Sequence, residues 1–557
     1  MNNVKVQDYL NLGLSIDNAI KVALHEAAKT GVYAELPSGE HKIASQVYIG
    51  KAHDGILGII GNEDGTSKLV FDWPQAFDWD SNTNQTDPCA NSGVVVEGLV
   101  GVCIKNFGIQ YKEEFYRKGQ TYFGSVSCLV MCDTSHSLVS NVNTSGANRN
   151  GIFFASKDSR VSDAASRFYK GALSLADLDN LEYFPQGNVV EFCTSESNRV
   201  AGIMYGWQKD FKANQNICRL NGHEADGGTG YGITAMAGSL NFGSASMICE
   251  NVLERNFRKG LDFHDAVVAR GERNIIKHNR LHGIAYENRQ YPVAVVSLCD
   301  NDLSFDGDFI LTRDDDLSPD AKIKVNSDYY RQSGIRVEIK QQPGQKWVSD
   351  INPVVTIVGN KISGIDVKDH ANRGLYWAVE YRNNDQKAMP LVTIADNEVV
   401  ENGTISSFIA IFAKNADVLN GLGNVSIKNN KFHAENCNSS PIYIEELCKI
   451  VEDTGRNIEI SGNELTIDKI NSGSEKIACA IVGCKFVMTG NTFRIPADMN
   501  RPALRFIDGN KYGSHQFSEN EIVTPLAVSR VKSGYLNKDG AANCTVVNNK
   551  VHVSFDL

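Results

Sequence analysis

The 557 residues are 42% hydrophobic and 22% charged, with 48 glycines and a net charge of −11. That charge sets nucleic acid aside as a partner, because phosphate binding needs a basic surface that displaces counterions. No apolar run is long enough for membrane insertion, and the opening MNNVKVQDYLNLGL lacks the basic start, apolar core and small-residue cleavage site of a secretory signal.

In chain order, Ile16, Ala19, Ile20, Ala23, Leu24 and Ala27 follow helical spacing behind Ser15. They predict an amphipathic helix with Ser15 as N-cap and an end near Gly31. VYAELPSGEHKI and GILGIIGNEDGTSKLVF come next and read as short strands around a Pro-Ser-Gly turn. The 13 cysteines are scattered, and Cys249, Cys299 and Cys479 sit in apolar alternating runs, where a thiol serves as a small buried hydrophobe. Reduced cysteines are expected, with no cofactor and no metal site.

Seven later segments open with Gly and an apolar residue: GIFFA (151–155), GIMYG (202–206), GITAM (232–236), GLDFH (260–264), GIAYE (283–287), GIRVE (334–338) and GLYWA (374–378). Stacked on one another, they send their second and fourth residues inward. The third and fifth then face solvent, about 6.6 Å apart along a strand, with coils about 4.8 Å apart. Chemistry gathers in adjacent segments. One column holds His264, Glu287 and Glu338, and the other holds Asp262, Ala285, Arg336 and Tyr376. The same alternation points Trp377 inward. Two insertions interrupt the series, at 157–188, which contains a short helical pattern, and at 306–333.

From residue 251 a hexad recurs ten times: apolar, two variable positions, Asn, one variable position, apolar. Its asparagines are Asn251, Asn279, Asn301, Asn360, Asn397, Asn430, Asn463, Asn491, Asn520 and Asn549, separated by as few as 22 residues (279 to 301) and as many as 59 (301 to 360). The flanking apolar residues alternate with period two and are rich in Ile, Val and Phe, which indicates strands. An Asn between two strands suits a bend, since it tolerates left-handed backbone and bonds to nearby main chain, and stacked asparagines can bond from coil to coil. A β-sandwich has no reason to repeat one hexad in this way. The pattern predicts an all-β, single-domain, right-handed parallel β-helix over 76–557, with an N-terminal cap over 1–75.

The helix, strand, Pro-Ser-Gly turn and strand at the N-terminus resemble the cap of the pectate-lyase-like superfamily, as found in phage tailspike depolymerases, and VQDYLNLGLSIDNAI is similar to the segment that opens many tailspike β-helices. This resemblance implies a bacterial surface polysaccharide as partner, action from the virion tail, and a homotrimer. The chain ends at VHVSFDL soon after the last hexad, so the C-terminal trimerisation domain of many tailspikes is not expected within it. GLDFHD (260–265) is similar to the Asp-Pro-His-Glu motif of β-helical alginate epimerases and lyases, with Asp262 and His264 on its Asp and His. Phe263 replaces the Pro, and Lys259 stands where that family carries a Tyr.

Three chemistries remain open. Two glutamates stacked with no base between them keep one carboxyl protonated, as a glycosidase needs, and Glu287 with Glu338, or Asp262 with Glu287, supply the pair. Hydrolysis of a capsular, exo- or O-antigen polysaccharide is the first expectation. The alternative is β-elimination, with His264 as base and Arg336 or Lys259 as the cation that neutralises a substrate carboxylate. The third is a carbohydrate-binding spike without catalysis. Arg336, Tyr376, Lys259, His223, Glu224 and Tyr330 are the candidate substrate contacts, while RDDD (313–316) lacks the spacing of a calcium loop.

Overall fold

The computed structural model describes residues 2–72, 87–90, 92–112, 126–222, 229–305, 331–340, 352–364, 375–384, 389–413, 423–437, 440–446, 457–470, 478–481, 485–494, 504–506, 515–523, 544–547 and 550–552. His223, Glu224, Tyr330, Asn549 and the insertion up to residue 330 lie outside them, and nothing of the Tyr376 side chain is described. Among the described residues, one compact unit runs to Ala269 and a second begins at Arg270. No helix among them is long and apolar enough to cross a membrane.

After a short strand, Val4–Lys5, the first unit has α1 (Val6–Asn11), which the sequence did not announce, and α2 (Ile16–Thr30). Ala19, Ile20, Ala23, Leu24 and Ala27 form the buried stripe of α2, and Gly31 ends it in left-handed backbone at φ 66°. Ser15 has N-cap backbone geometry but makes no side-chain cap. Instead Asp17, in the first turn, accepts from Ser45 N at 2.9 Å and Ser45 Oγ at 2.7 Å, which ties the helix to the strands it covers.

All recorded strand pairings are parallel and join each strand to its equivalent one coil on, the arrangement of a right-handed parallel β-helix. In the first unit, Ile152, Ile203, Ile233 and Leu261 pair in one column, as the Gly-apolar register requires. Ile284 and Ile335 do so in the second. These inward residues, with Phe154, Phe263, Tyr286 and Val337, are fully buried, and each contributes about 1.5–3 kcal/mol by leaving water. The insertion after Ala155 forms α3 (Ser159–Tyr169) and α4 (Leu175–Asp179), whose buried faces are Val161, Ala164, Ala165 and Phe168, and Leu178.

The asparagines do bond from coil to coil. In the second unit Asn274, Asn301, Asn360, Asn397, Asn430, Asn463, Asn491 and Asn520 form an unbroken ladder, each Nδ2 donating to the next Oδ1 at 2.8–3.0 Å. Two expectations need correction here. Asn274, not Asn279, is the partner of Asn301. The left-handed residue is the one before each Asn, as at Asp300, Asp396, Asn429 and Gly462, and the ladder asparagines themselves are not left-handed. Among the described residues nine cysteines are free thiols, with Cys249 and Cys299 only half-buried.

Candidate functional site

Asp262 and His264 belong to the first unit, while Glu287, Arg336 and Glu338 belong to the second, so the expected columns are described in two parts. In the first unit the strand Lys259–His264 pairs with Tyr231–Ala235 so that Thr234 is opposite Asp262 and Tyr231 opposite Lys259. Lys259 precedes Gly260, and its side chain reaches the same face as Asp262, a third position that strict alternation misses.

These side chains form a trio. Lys259 Nζ donates to Asp262 Oδ1 at 3.0 Å, and His264 Nδ1 lies 2.6 Å from Asp262 Oδ2. Tyr231 closes one side, its ring 6.3 Å from the His264 ring and 5.7 Å from Lys259 Nζ, and its hydroxyl accepts from Arg258 Nη1 at 3.2 Å. The expectation that these residues face solvent fails, since Asp262 has no exposed surface and Lys259 and His264 expose 4% and 5%. Burial by itself raises a carboxyl's pKa. The charges of His264 and Lys259 outweigh that here and bring Asp262 down to about 2. Burial and the Asp262 charge together push the Tyr205 hydroxyl upward.

In its own column, the preceding coils place no charge opposite Asp262. Phe153, Met204 and Thr234 precede Asp262 in its column, and Val95, Val130, Cys132, Ala155 and Tyr231 belong to one buried apolar cluster with Phe153 and Met204. Earlier on this face, Glu97 in the column of Cys132 and Ala155 pairs with Lys157 at 2.7 Å and is partly exposed, whereas the Asp262 group is buried.

In the second unit the strand Arg331–Lys340 pairs with His282–Glu287 on one side, placing Arg336 opposite Ala285 and Glu338 opposite Glu287 as expected. On its other side the register differs. Arg336 pairs with Glu380 and Glu338 with Arg382, whereas Tyr376 pairs with Gln332. Tyr376 therefore leaves the Arg336 column, because the strand Leu375–Asn384 is ten residues long and its alignment is set four residues beyond the Gly that seemed to mark it. Trp377 is buried as expected, 3% exposed, but not in the solenoid interior. It packs with Ala410 and Phe412 of the outer face, and the Arg382 guanidinium lies over both rings.

Lys340, Glu380 and Arg382 were not anticipated, and they change the chemistry. Lys340 Nζ lies 2.7 Å from Glu287 Oε1 and 3.3 Å from Glu338 Oε2, so the two glutamates share a cation. The expectation of a stacked acid pair with no base between its members is overturned. Glu338 also accepts from Arg336 Nη2 at 2.6 Å and Asn384 Nδ2 at 3.2 Å. Glu380, with no exposed surface, accepts from Ser333 Oγ at 2.9 Å and is paired with Arg382 and, at 3.8 Å, with Arg336. Burial disfavours the Arg336 charge, yet Glu380 and Glu338 offset this and hold its pKa above the ordinary value. Among the described residues no group of three or more His, Cys, Asp or Glu side chains is placed to hold a metal ion.

No family model and no curated protein matches the chain. Solved structures do. The tailspike protein of E. coli bacteriophage HK620, in complex with a pentasaccharide, is 10% identical, covering 96% of this chain and 75% of that one at a TM-score of 0.45. The Dettilon tailspike protein is 10% identical over 96% of this chain and 65% of that one, at 0.34, so the chain spans somewhat less than two thirds of its length. The A-module of a mannuronan C-5 epimerase from Azotobacter vinelandii is 12% identical, covering 99% of this chain and all of that one, at 0.34. The chain itself is a right-handed parallel β-helix whose outer-face chemistry lies in a buried Lys-Asp-His trio and a mixed network of Glu, Arg and Lys.

Proposed function

We propose that the chain is a tailspike-type depolymerase of a bacterial surface polysaccharide, acting from the virion tail as a homotrimer, with His264 as its proton-transfer group. The observation that carries this reading is the Asp262 carboxylate, which has no exposed surface and is held between His264 Nδ1 and Lys259 Nζ. A buried ion group is a poor way to stabilise a fold, because apolar residues of similar volume serve as well or better. Preceding coils use such residues at equivalent positions. A buried charged group of this kind, which apolar neighbours at the equivalent positions do without, is a candidate for chemistry.

The geometry supplies a mechanism. With Nδ1 turned to Asp262, Nε2 is the ring nitrogen assigned the proton transfer. In its neutral form the imidazole removes the proton beside the carboxylate of a uronic acid, and the electron pair released expels the glycosidic oxygen, which takes up a proton, leaving an unsaturated sugar. This favours β-elimination over the hydrolysis first expected. Glu287 and Glu338, the pair hydrolysis would use, are each engaged by cations, Glu287 by Arg289 and Lys340 and Glu338 by Arg336 and Lys340.

The test is digestion of host polysaccharide, followed by ultraviolet absorbance of unsaturated products and by reducing-end release. Wild type is expected to produce both signals together, and His264→Ala and Asp262→Asn to lose both. Reducing ends without unsaturation, abolished by Glu287→Gln and Glu338→Gln, would assign hydrolysis instead. Binding without either signal would leave a non-catalytic spike.

A further inference from the structure

The first unit carries a second surface feature, on the sheet that does not contain Asp262 and His264. It is a groove of about 550 Å³ that crosses four coils, lined by Lys68, Gln110, Asn143, Ser145, Thr194 and Glu196 among others. Strand register places Lys68, Gly108, Asn143 and Thr194 in one outward column, and Gln110, Ser145 and Glu196 in the next. The volume falls within the range of small-molecule and oligosaccharide clefts.

Its chemistry is neutral between two neutralised ends. Lys68 lies 3.3 Å from Glu40, and Glu196 lies 2.6 Å from Arg219. Between them, among the described residues, the side chains of Gln110, Asn143, Ser145 and Thr194 make no hydrogen bond, so amide and hydroxyl groups of three consecutive coils face the groove uncommitted. Gly108 opens the floor. Its backbone is outside the left-handed region, so nothing local demands glycine, and a Cβ there would meet Lys68 Cγ at 3.1 Å.

An independent feature precedes the groove residue Thr194 in the same coil. Phe192, two residues before Thr194, is 52% exposed and held at φ 55°. The register makes it the equivalent of Asn141 and Gln215, both also left-handed. Asn adopts that backbone readily, whereas a bulky aromatic does so at a cost and here gains no burial in return. An exposed ring beside uncommitted hydroxyl and amide groups is the composition that recognises a sugar, with apolar face on ring and hydroxyls on polar side chains.

We propose that this groove, together with Phe192, binds an uncharged stretch of polysaccharide without cleaving it. The source of the ligand rests on the polysaccharide reading above, but the site does not depend on His264. The probe is a printed array of purified bacterial surface polysaccharides, neutral and anionic, with hits re-measured by affinity electrophoresis. Wild type is expected to bind at least one neutral polysaccharide. Phe192→Ala should weaken that binding about tenfold, the scale of one lost aromatic contact. Gly108→Val, which fills the floor, should weaken it comparably, and cleavage of short soluble oligosaccharides should be unchanged in both. Binding to anionic members alone, or binding indifferent to both substitutions, would overturn the proposal. Loss of cleavage in Asp262→Asn with groove binding intact, or the reverse, keeps the fates of the two sites distinct.

Discussion

Removing the Asp262 charge tests the trio directly. Asp262→Asn preserves shape and leaves a buried ammonium, Lys259, facing an amide, a change that costs about 3–5 kcal/mol when one member of a buried pair is lost. The titration argues a similar scale, since a carboxyl brought from 3.8 to about 2 contributes roughly 2.4 kcal/mol. Because the folded value is the lower one, this contribution is present above the ordinary carboxyl pKa and is lost as pH falls through about 2. A solenoid opens coil by coil, so a global melt dilutes the effect, and hydrogen exchange of the Lys259–His264 amides reads it locally. At neutral pH the variant should lose protection there by roughly 60-fold or more. Adding Lys259→Met should restore most of it. Protection within about threefold of wild type, or a double variant no better than the single, would show that the trio is not a coupled buried ion group.

Three further outcomes follow from the same reasoning. Glu380→Gln leaves Arg382 and Arg336 short of their fully buried anion and should cost about 3 kcal/mol or more, read as lost exchange protection along Leu375–Asn384. Asn397→Ala removes the acceptor of Asn360 N and Nδ2 and the donor to Asn430 Oδ1 and Ile357 O, for on the order of 3 kcal/mol, with faster exchange on both adjacent coils. Gly31→Ala forces a side chain into left-handed backbone at the end of α2 and should lower cap stability by about 1 kcal/mol, measured as earlier proteolysis of the N-terminal segment.

The inward residues were readable because one period-two alternation recurs in every coil, and a pattern repeated that often leaves little room for a wrong register. Asp262 with His264, and Arg336 with Glu338, were readable for the same reason. Glu380 and Arg382 were not. The Gly of GLYWA looked like the marker of the other segments, but only backbone pairing reveals that the strand runs on and that its later half lies opposite Arg336 and Glu338. Lys340 at a strand end looks like any exposed lysine, and its position between two glutamates depends on where a flexible side chain settles. The burial of the outer face was illegible for a related reason. Alternation tells which way a residue points and is silent on what lies over it.

The asparagine ladder bears on how such a chain can change. Its links stay within 2.8–3.0 Å whether the intervening stretch is 27 residues, as from Asn274 to Asn301, or 59, as from Asn301 to Asn360. Each rung depends only on its neighbour, so the seam is indifferent to what is spliced between rungs. Whole coils can be duplicated or exchanged between lineages, and the segments between rungs can diverge, while the seam propagates unchanged. A protein built this way can change what its coils carry by recombination without having to reinvent its fold.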